Sequence, residues 1–291
     1  MTAAITRRDY SGVADLAPLL RFTQYNWTPD SRWHLGDIAW EFSFAPGGGP
    51  HERMAFWERN GEIVGFGWLT LPATLALMVD PRLADGLVDE VVDWATGLAG
   101  QPVAVGVLET EAALIAPLVR AGRTASLPDH FFLNLQRELS DLPPVPELPA
   151  GFTVRPLADD ELPARAALHR TVWNPRLTDE VYAGLASRWP YRREFDRVAV
   201  APNGELAAYI LGWYDDVNRV GEFEPVGTLP EYRRLGLSRA LGISLLHAWR
   251  DAGGRRALVY ARGDDGYPVP RQVYAALGFR VHGRIVRYRL P

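Results

Sequence analysis

Residues 226–249 constrain the fold of this chain more than any other stretch. A short run with β-branched residues ends before Pro230, a basic turn containing Gly236 follows, and apolar residues then recur at helical spacing. The apolar positions of that last segment are Leu237, Leu241, Ile243, Leu245, Leu246 and Ala248. This pattern predicts a strand, a turn and an amphipathic helix in direct succession.

The turn between this strand and this helix has the features of an anion site. The first N–H groups of a helix have no partner inside the helix, and the helix dipole adds partial positive charge there. Gly236 leaves room for a ligand against the backbone. Arg233, Arg234 and Arg239 would add charge-assisted hydrogen bonds to phosphate oxygens. The turn is therefore predicted to bind a diphosphate.

Two common nucleotide-binding patterns do not fit this turn. A P-loop requires lysine, which the chain lacks, and the G-x-G-x-x-G fingerprint requires three glycines where the turn has only Gly236. The turn instead fits R/Q-x-x-G-x-G/A as Arg233-x-x-Gly236-x-Ser238, with serine where glycine or alanine is usual. Here the sequence resembles the GNAT superfamily of N-acetyltransferases, whose members hold the pyrophosphate of coenzyme A in this way.

The resemblance implies that acetyl-CoA is the co-substrate and that the strand and the turn hold it. The positions that it assigns to the donor are Val226, Gly227, Thr228, Arg233, Arg234, Leu235, Gly236, Leu237, Ser238 and Arg239. Backbone groups of residues 226–228 would pair with the pantetheine amides as an added strand does. An amide N–H there, splayed by a bulge in this family, would polarise the thioester carbonyl.

Composition excludes several other classes of function. A net charge of -4 argues against nucleic acid as a partner. The absence of cysteine excludes disulfides, thiolate metal sites and a thiol nucleophile, and the six histidines show no metal-binding spacing. No apolar run is long enough for a membrane span or a signal peptide. We therefore expect a cytoplasmic monomer or homodimer that uses no metal, no nucleic acid and no membrane.

The two halves of the chain resemble each other around a proline-rich segment at 140–151. Such a segment favours extended polyproline II and is predicted to be a stiff linker. Asn60-Gly61 and Asn203-Gly204 both lie between apolar runs and predict hairpins, and similar motifs recur in the same order at offsets of 143 to 156 residues. The predicted domains are 1–140, a linker at 141–150, and 151–291.

The fold class predicted for each half is α/β (α+β), with a mixed central sheet flanked by helices. Together with the resemblance, this indicates two tandem GNAT-like domains. The first half departs from the pattern at its own turn, residues 80–87, where Asp85 would repel a pyrophosphate. We therefore expect a degenerate first domain that supports the second, with its tryptophans, Trp27, Trp33, Trp40, Trp57 and Trp68, in core positions.

Two carboxylates are candidates for the general base. Glu222 and Glu224 lie on the predicted strand, and alternation predicts that both share a face with Thr228. By resemblance, Glu222 stands fourteen residues before Gly236, as does the general base of the histone-acetylating branch of the superfamily. Removing a proton from an ammonium group with a pKa of about 10 requires a buried carboxylate or a water relay. Both residues stay candidates.

A tyrosine is the candidate for assisting the leaving thiolate. Residues 273–279, V-Y-A-A-L-G-F, resemble the family's L-Y-E-x-L-G-F, in which the tyrosine hydroxyl donates toward the sulfur of coenzyme A; this assigns that role to Tyr274. Tyr267 stands where the family often has asparagine. The segments that shape the acceptor site in the family contain His169, Trp173, Arg176 and Trp189 here.

The resemblance implies an acetyl-CoA-dependent N-acetyltransferase in which an amine of a small molecule attacks the thioester directly. The tandem layout is similar to that of the mycothiol synthases, which acetylate the cysteine amine of an aminosugar conjugate. The alternative is an acyl-CoA-binding regulatory or scaffolding protein without turnover. Substitution of Glu222 and Tyr274 would distinguish the two.

Overall fold

The computed structural model describes residues 3–42, 52–173 and 177–291. These residues form two compact units, of which the first contains Met1–Asn134 with Gly283–Pro291, and the second contains Leu135–His282. Up to the last helix of each half, the described helices and strands follow the same order in the two halves of the chain, as the duplication predicts, and the first half then ends with two strands where the second ends with one. The predicted mixture of strands and helices around a central sheet is confirmed in each unit.

The described residues of the first unit form a mixed sheet with four helices. Its strands are β1 (Thr6–Asp9), β2 (Glu52–Arg59), β3 (Glu62–Thr70), β4 (Thr74–Val79), β5 (Ala104–Leu108) and β6 (Thr124–Ser126). Its helices are α1 (Leu16–Asn26), α2 (Leu35–Glu41), α3 (Ala84–Ala99) and α4 (Ala112–Arg120). Strands β1 to β4 are antiparallel neighbours, and β4 pairs in parallel with β5. The β2–β3 hairpin turns at Asn60 and Gly61, whose positive φ angles of 57° and 80° suit its tight turn.

The second unit repeats this arrangement. Its strands are the end of β7 (Phe132–Glu138), β8 (Thr153–Pro156), β9 (Asp196–Val200), β10 (Leu206–Asp215), β11 (Val220–Thr228), β12 (Arg256–Arg262) and the start of β13 (Arg280–Arg289). Its helices are α5 (Leu162–Val172), α6 (Asp179–Ala186), α7 (Leu237–Asp251) and α8 (Val269–Ala276). Strands β8 to β11 follow one another antiparallel, and β11 pairs in parallel with β12.

Strand β10 is buried along its whole length because helices cover both of its faces. On one face, a Cβ added at Gly212 would lie 2.5 Å from the Trp249 ring of α7. On the other face, Tyr209 contacts His169 of α5. The alternation of side chains along β10 therefore defines an α7 face and an α5 face of the sheet.

The sequence pattern also predicts that residues 284–290 form a strand that closes the second sheet, and the structure places this strand differently. Residues 285–289 of β13 pair antiparallel with β5 and β6, and Val286 and Tyr288 are buried in the core of the first unit. Arg284 also forms an ion pair with Glu109, 2.8 Å away. The pairing partners of a strand are set by tertiary contacts that the alternation of residues does not encode. The sequence pattern therefore predicts that this strand exists but not the sheet that it joins.

The proline-rich segment lies within the second unit, because the two units divide between Asn134 and Leu135. One contact that ties it down is a hydrogen bond of 2.8 Å between His247 Nε2 on α7 and the Pro143 carbonyl. The boundaries predicted at 140 and 151 stay a prediction of where the duplicated segments meet.

The five tryptophans predicted for the core of the first half are all buried, so this prediction is confirmed. None of the described helices is long and apolar enough to cross a membrane.

Candidate functional site

The candidate site begins where β11 and β12 separate. Their parallel pairing joins Val220–Glu222 to Arg256–Leu258, and no further pair joins the two strands among the residues that the structure describes. The carboxyl end of β11 therefore has one edge paired with β10 and the other edge open. An open edge presents N–H and C=O groups that an extended ligand can pair with.

The register with β10 determines which groups point to the open edge. The Leu229 N–H donates to the Ala207 carbonyl over 3.0 Å, so 229 and 207 form a hydrogen-bonded pair. Antiparallel pairs alternate between bonded and non-bonded types, so Gly227 opposite Tyr209 is bonded, whereas Val226 and Thr228 are not. The backbone N–H and C=O groups of Val226 and Thr228 consequently point away from β10. These are residues that the sequence assigned to the pantetheine arm.

A bulge in β11 changes which side chains share a face. Val226 pairs with Ile210 but Phe223 pairs with Gly212, so Glu224 and Pro225 together oppose the single residue Leu211. The Trp213 indole Nε1 donates to the Glu224 carbonyl over 2.7 Å at this point. The extra residue shifts the alternation of side chains by one.

The prediction that Glu222 shares a face with Val226 and Thr228 is therefore wrong. Glu222 lies opposite Trp213, whose side chain is on the α5 face with that of Tyr209. Thr228 is on the α7 face, where its Oγ1 lies 2.9 Å from Ser238 Oγ. Simple alternation fails here because it assumes one residue per step on both strands.

Helix α7 begins beside this open edge. Gly236 caps the helix with a φ of 79°, and Arg234 also has a positive φ, of 67°. No side chain caps the helix among the described residues, so the first-turn amides of α7 remain available to a ligand. Arg233, Arg234 and Arg239 are exposed, and Arg233 Nε donates to the Thr228 carbonyl over 3.4 Å. The turn thus combines free amides, a helix dipole and three cations.

The part of the chain with this geometry matches a known protein family. Residues 160–279 match the Acetyltransferase (GNAT) family, and they lie within the second unit. The chain carries a GNAT acetyltransferase domain. It is accordingly an acyltransferase, and the second unit, with its splayed strands and its arginine-rich turn, is its GNAT domain.

Relatives support the same family. The chain is 27% identical over 235 residues to a mycothiol acetyltransferase of Tsukamurella paurometabola, an overlap of 74% of this chain and 77% of the relative. It is 30% identical over 166 residues to a mycothiol acetyltransferase of Actinosynnema mirum, which is 54% of each chain. The whole fold is similar to a tandem GNAT protein from the clavulanic acid biosynthesis pathway, with a TM-score of 0.62, 20% identity and 98% of both chains covered. The tandem GNAT fold is therefore confirmed.

The GNAT domain brings the two candidate carboxylates to the bulge of β11. Glu222 is buried, with only 1% of its surface exposed, and its side chain is on the α5 face. Glu224 is half-buried and lies within the bulge itself. One carboxylate is thus shielded from solvent beside the open edge, whereas the other retains access to water.

Tyr274 lies on α8 in an aromatic group. Its ring centroid is 6.4 Å from that of Phe223 and 6.0 Å from that of Phe279. Burial, and to a smaller extent the Glu224 carboxylate, raises the pKa of the Tyr274 hydroxyl well above its usual value. The phenol is therefore neutral at physiological pH and remains a proton donor.

A buried ionic network under β11 was missed by the sequence analysis. Arg165 and Asp196 are fully buried and form an ion pair of 3.1 Å, and Asp196 also accepts hydrogen bonds from Tyr182 and Tyr191. The Arg165 guanidinium lies 3.4 Å from the centre of the Tyr209 ring. A buried charge without partners is costly, so these groups stabilise the core only together.

This network supports strand β11 through the side chain of Tyr209. A Cβ added at Gly227 would lie 2.5 Å from the Tyr209 ring, so the tyrosine packs directly against the β11 backbone. The Tyr209 hydroxyl lies 2.7 Å from His169 Nδ1. Burial and the Arg165 charge lower the pKa of His169 to about 4, which keeps the imidazole neutral at pH 7. The only sequence signal for this packing was a glycine opposite an aromatic residue in adjacent strands.

The residues predicted for the acceptor side are found in different environments. His169 is buried, whereas Trp173 and Trp189 are 54% and 47% exposed. The Trp173 indole Nε1 donates to the Val226 carbonyl over 2.7 Å. Arg176 lies outside the described residues.

The corresponding turn of the first unit keeps the backbone shape but not the charge. Gly86, with a φ of 88°, interrupts α3 near its start as Gly236 caps α7. Asp80 is bound by the Arg82 side chain at 2.6 Å, and this hydrogen bond lowers the pKa of Asp80 below its usual value. Asp85 forms a second ion pair with Arg120. Carboxylates in ion pairs therefore stand near this helix start, where the corresponding turn of the GNAT domain carries Arg233, Arg234 and Arg239.

Proposed function

We propose that the second unit transfers an acetyl group from acetyl-CoA to a primary amine of a small molecule by direct attack. The observation that carries this proposal is the open edge of β11, where backbone groups of Val226 and Thr228 point outward beside the start of α7. A pantetheine arm would pair with that edge, and the diphosphate would bind the first-turn amides of α7 and the three arginines.

The chemistry that follows uses the groups around the bulge. The amine nitrogen attacks the thioester carbonyl carbon, the C–S bond breaks, and the displaced amine proton passes to Glu222, directly or through a water molecule. The neutral Tyr274 hydroxyl donates a hydrogen bond to the sulfur as negative charge develops on it. A backbone N–H at the bulge would stabilise the charge on the carbonyl oxygen. No metal takes part in this proposal.

The acceptor is proposed only as a class. The two relatives are named mycothiol acetyltransferases, and we therefore propose the amine precursor of a mycothiol-type thiol as a candidate acceptor of the GNAT domain. The first unit is proposed to be a degenerate repeat that binds no donor, because Asp80 and Asp85 place negative charge at its turn. A cytoplasmic location and a monomeric or homodimeric state stay predictions.

The test is amine-dependent release of free thiol from acetyl-CoA, with the acetylated product identified by mass spectrometry. A panel of small primary amines that includes amino sugars serves as the acceptor set. We expect Glu222→Gln to lower kcat/KM by about 10²- to 10⁴-fold, the contribution usual for a general base. The affinity for acetyl-CoA, measured by calorimetry, should not change in this variant.

Glu224→Gln is the matched comparison, because it makes the same change two residues away. If it causes the larger loss, Glu224 is the base and the assignment to Glu222 fails. Binding of acetyl-CoA with no thiol release for any amine would instead favour a binding protein without turnover. Absence of any binding would reject the proposed donor site.

A further inference from the structure

Trp173 lies on the part of β11 that the donor is proposed to use. Its indole Nε1 donates to the Val226 carbonyl at 2.7 Å, a normal hydrogen-bond length. Val226 opposes Ile210 as a non-bonded pair, so this carbonyl points to the open edge rather than to β10. The side chain therefore binds an acceptor group that an extended ligand would need for pairing.

The two neighbouring acceptors on this edge are occupied in different ways. The Thr228 carbonyl receives Arg233 Nε over 3.4 Å, a long contact from the same turn that is proposed to bind the diphosphate. The Val226 carbonyl receives a shorter bond from a residue at the end of α5, on the opposite side of the sheet from α7. The second contact therefore comes from a part of the domain other than the turn.

We propose that Trp173 and the pantetheine arm of an acyl-CoA compete for the Val226 carbonyl, so that donor binding moves the indole off β11. This inference rests on the proposed function, because it takes the donor to be an acyl-CoA that pairs with the strand. The indole lies 2.7 Å from the Val226 carbonyl oxygen at the open edge, where a pairing pantetheine amide would also have to approach, so the two donors exclude each other there by their bulk.

The position of Trp173 suits such an exchange. The side chain is 54% exposed, so it has less apolar surface to expose on leaving the strand than a core tryptophan would have. Its own backbone N–H is bound to the His169 carbonyl over 2.9 Å, so the main chain stays fixed while the side chain changes rotamer. In the donor-free protein the indole satisfies a carbonyl at an otherwise open edge, and in the complex the pantetheine amide takes over that role.

This exchange also links the donor site to the acceptor side. The segment at the end of α5 is one that the family resemblance assigns to the acceptor, and Trp173 connects it to β11 only while the donor is absent. Release of the indole would free this segment from the strand once the thioester is in place. We therefore expect ordered binding, with acetyl-CoA first and the amine second.

The first test follows the indole directly. The chain contains ten tryptophans, and 5-fluorotryptophan labelling gives one ¹⁹F resonance for each, assigned through Trp173→Phe and Trp94→Phe. Addition of desulfo-CoA, which binds without reacting, should shift the Trp173 resonance at saturation. Trp94 of the first unit should not shift. A saturated protein with an unchanged Trp173 resonance would overturn the proposal while leaving the proposed function intact.

The second test measures the affinity for acetyl-CoA by calorimetry. Trp173→Phe keeps the ring but removes the competing N–H, so Kd should fall by about 2- to 10-fold, the equivalent of one ordinary hydrogen bond. Trp94→Phe removes an indole elsewhere and should leave Kd unchanged.

Weaker binding in Trp173→Phe would mean that the indole helps to hold the donor, which contradicts competition. If the unaltered protein does not bind acetyl-CoA at all, the proposed function itself fails. Circular dichroism of each variant shows that the change in Kd does not come from unfolding.

Discussion

At the scale of single residues, the environment of Tyr274 decides how it assists the reaction. Burial and the nearby Glu224 raise the pKa of its hydroxyl, so full transfer of the phenolic proton to a thiolate with a pKa of about 8.5 is unfavourable. A neutral phenol still donates a strong hydrogen bond to a developing anion. Tyr274 is therefore better described as a donor that stabilises the leaving sulfur than as an acid that protonates it.

The pH dependence of turnover tests this description. A raised pKa keeps the phenol protonated to higher pH, so kcat should show no decrease near pH 10 that depends on Tyr274. Tyr274→Phe should lower kcat by about 10- to 100-fold at every pH, because it removes a hydrogen bond to a charged group. The exposed Tyr25→Phe is the control and should match the unaltered protein. A decrease near pH 10 that disappears in Tyr274→Phe would show that the phenol titrates at its usual value.

At the scale of elements, local patterns predicted the strand, turn and helix of residues 226–249, whereas the bulge was expected only from the family resemblance and its position was not predicted. The helix was readable because α7 buries one continuous apolar stripe, including Leu241 and Leu245. The bulge at Glu224 and Pro225 depends on pairing with β10, and no local pattern records which residue of a partner strand is opposed twice. Placement of Glu222 on the α5 face followed only from that pairing.

The ionic network of α5 was also not predicted, because it joins residues that are far apart in the sequence. Arg165 and Asp196 are separated by thirty-one residues, and in a chain whose basic residues are all arginine neither stands out from the exposed charges. Both residues are buried because α5 packs on β9 and β10, and no local sequence pattern records this packing. In contrast, Tyr274 and the arginine turn were found from local strings, because a turn or a helix end fixes their spacing along the chain.

The start of α7 offers a test that separates ligand binding from folding. Gly236 has a φ of 79° and no atoms within 4 Å of an added Cβ, so Gly236→Ala costs only backbone strain, about 1–2 kcal/mol of the free energy of unfolding. The new methyl group would, however, stand at the first-turn amides where the diphosphate is proposed to lie. We expect the Kd for acetyl-CoA, measured by calorimetry, to rise by at least about tenfold, the equivalent of one lost phosphate contact.

Gly86→Ala is the matched control for this change. Gly86 has a φ of 88°, lies at the start of α3 in the first unit, and also has no atoms within 4 Å of an added Cβ. Urea unfolding should show a similar loss of stability for both variants, whereas only Gly236→Ala should weaken donor binding. An equal loss of affinity in Gly86→Ala would place a donor site in the first unit and contradict its description as a degenerate repeat.

At the scale of the whole molecule, the chain does not divide where its duplication does. The segment Gly283–Pro291 follows the GNAT domain in sequence but belongs to the first unit. Its pairing with β5 and β6 and the burial of Val286 and Tyr288 give it the role of a core strand there. The first unit thus depends on the end of the chain, and it cannot be completed before the second unit has been synthesised.

Hydrogen exchange on the full-length protein tests this assignment. Val286→Ala removes buried apolar volume, so the first unit should lose about 1–2.5 kcal/mol of stability and the amides of β5 should exchange faster. Amides of β9 and β10 in the second unit should change less. Val281→Ala makes the same substitution on the same strand at a residue that is 60% exposed, and it should leave exchange in both units unchanged. Faster exchange in β10 than in β5 for Val286→Ala would return the last strand to the GNAT domain, because a cavity weakens first the sheet whose core it opens.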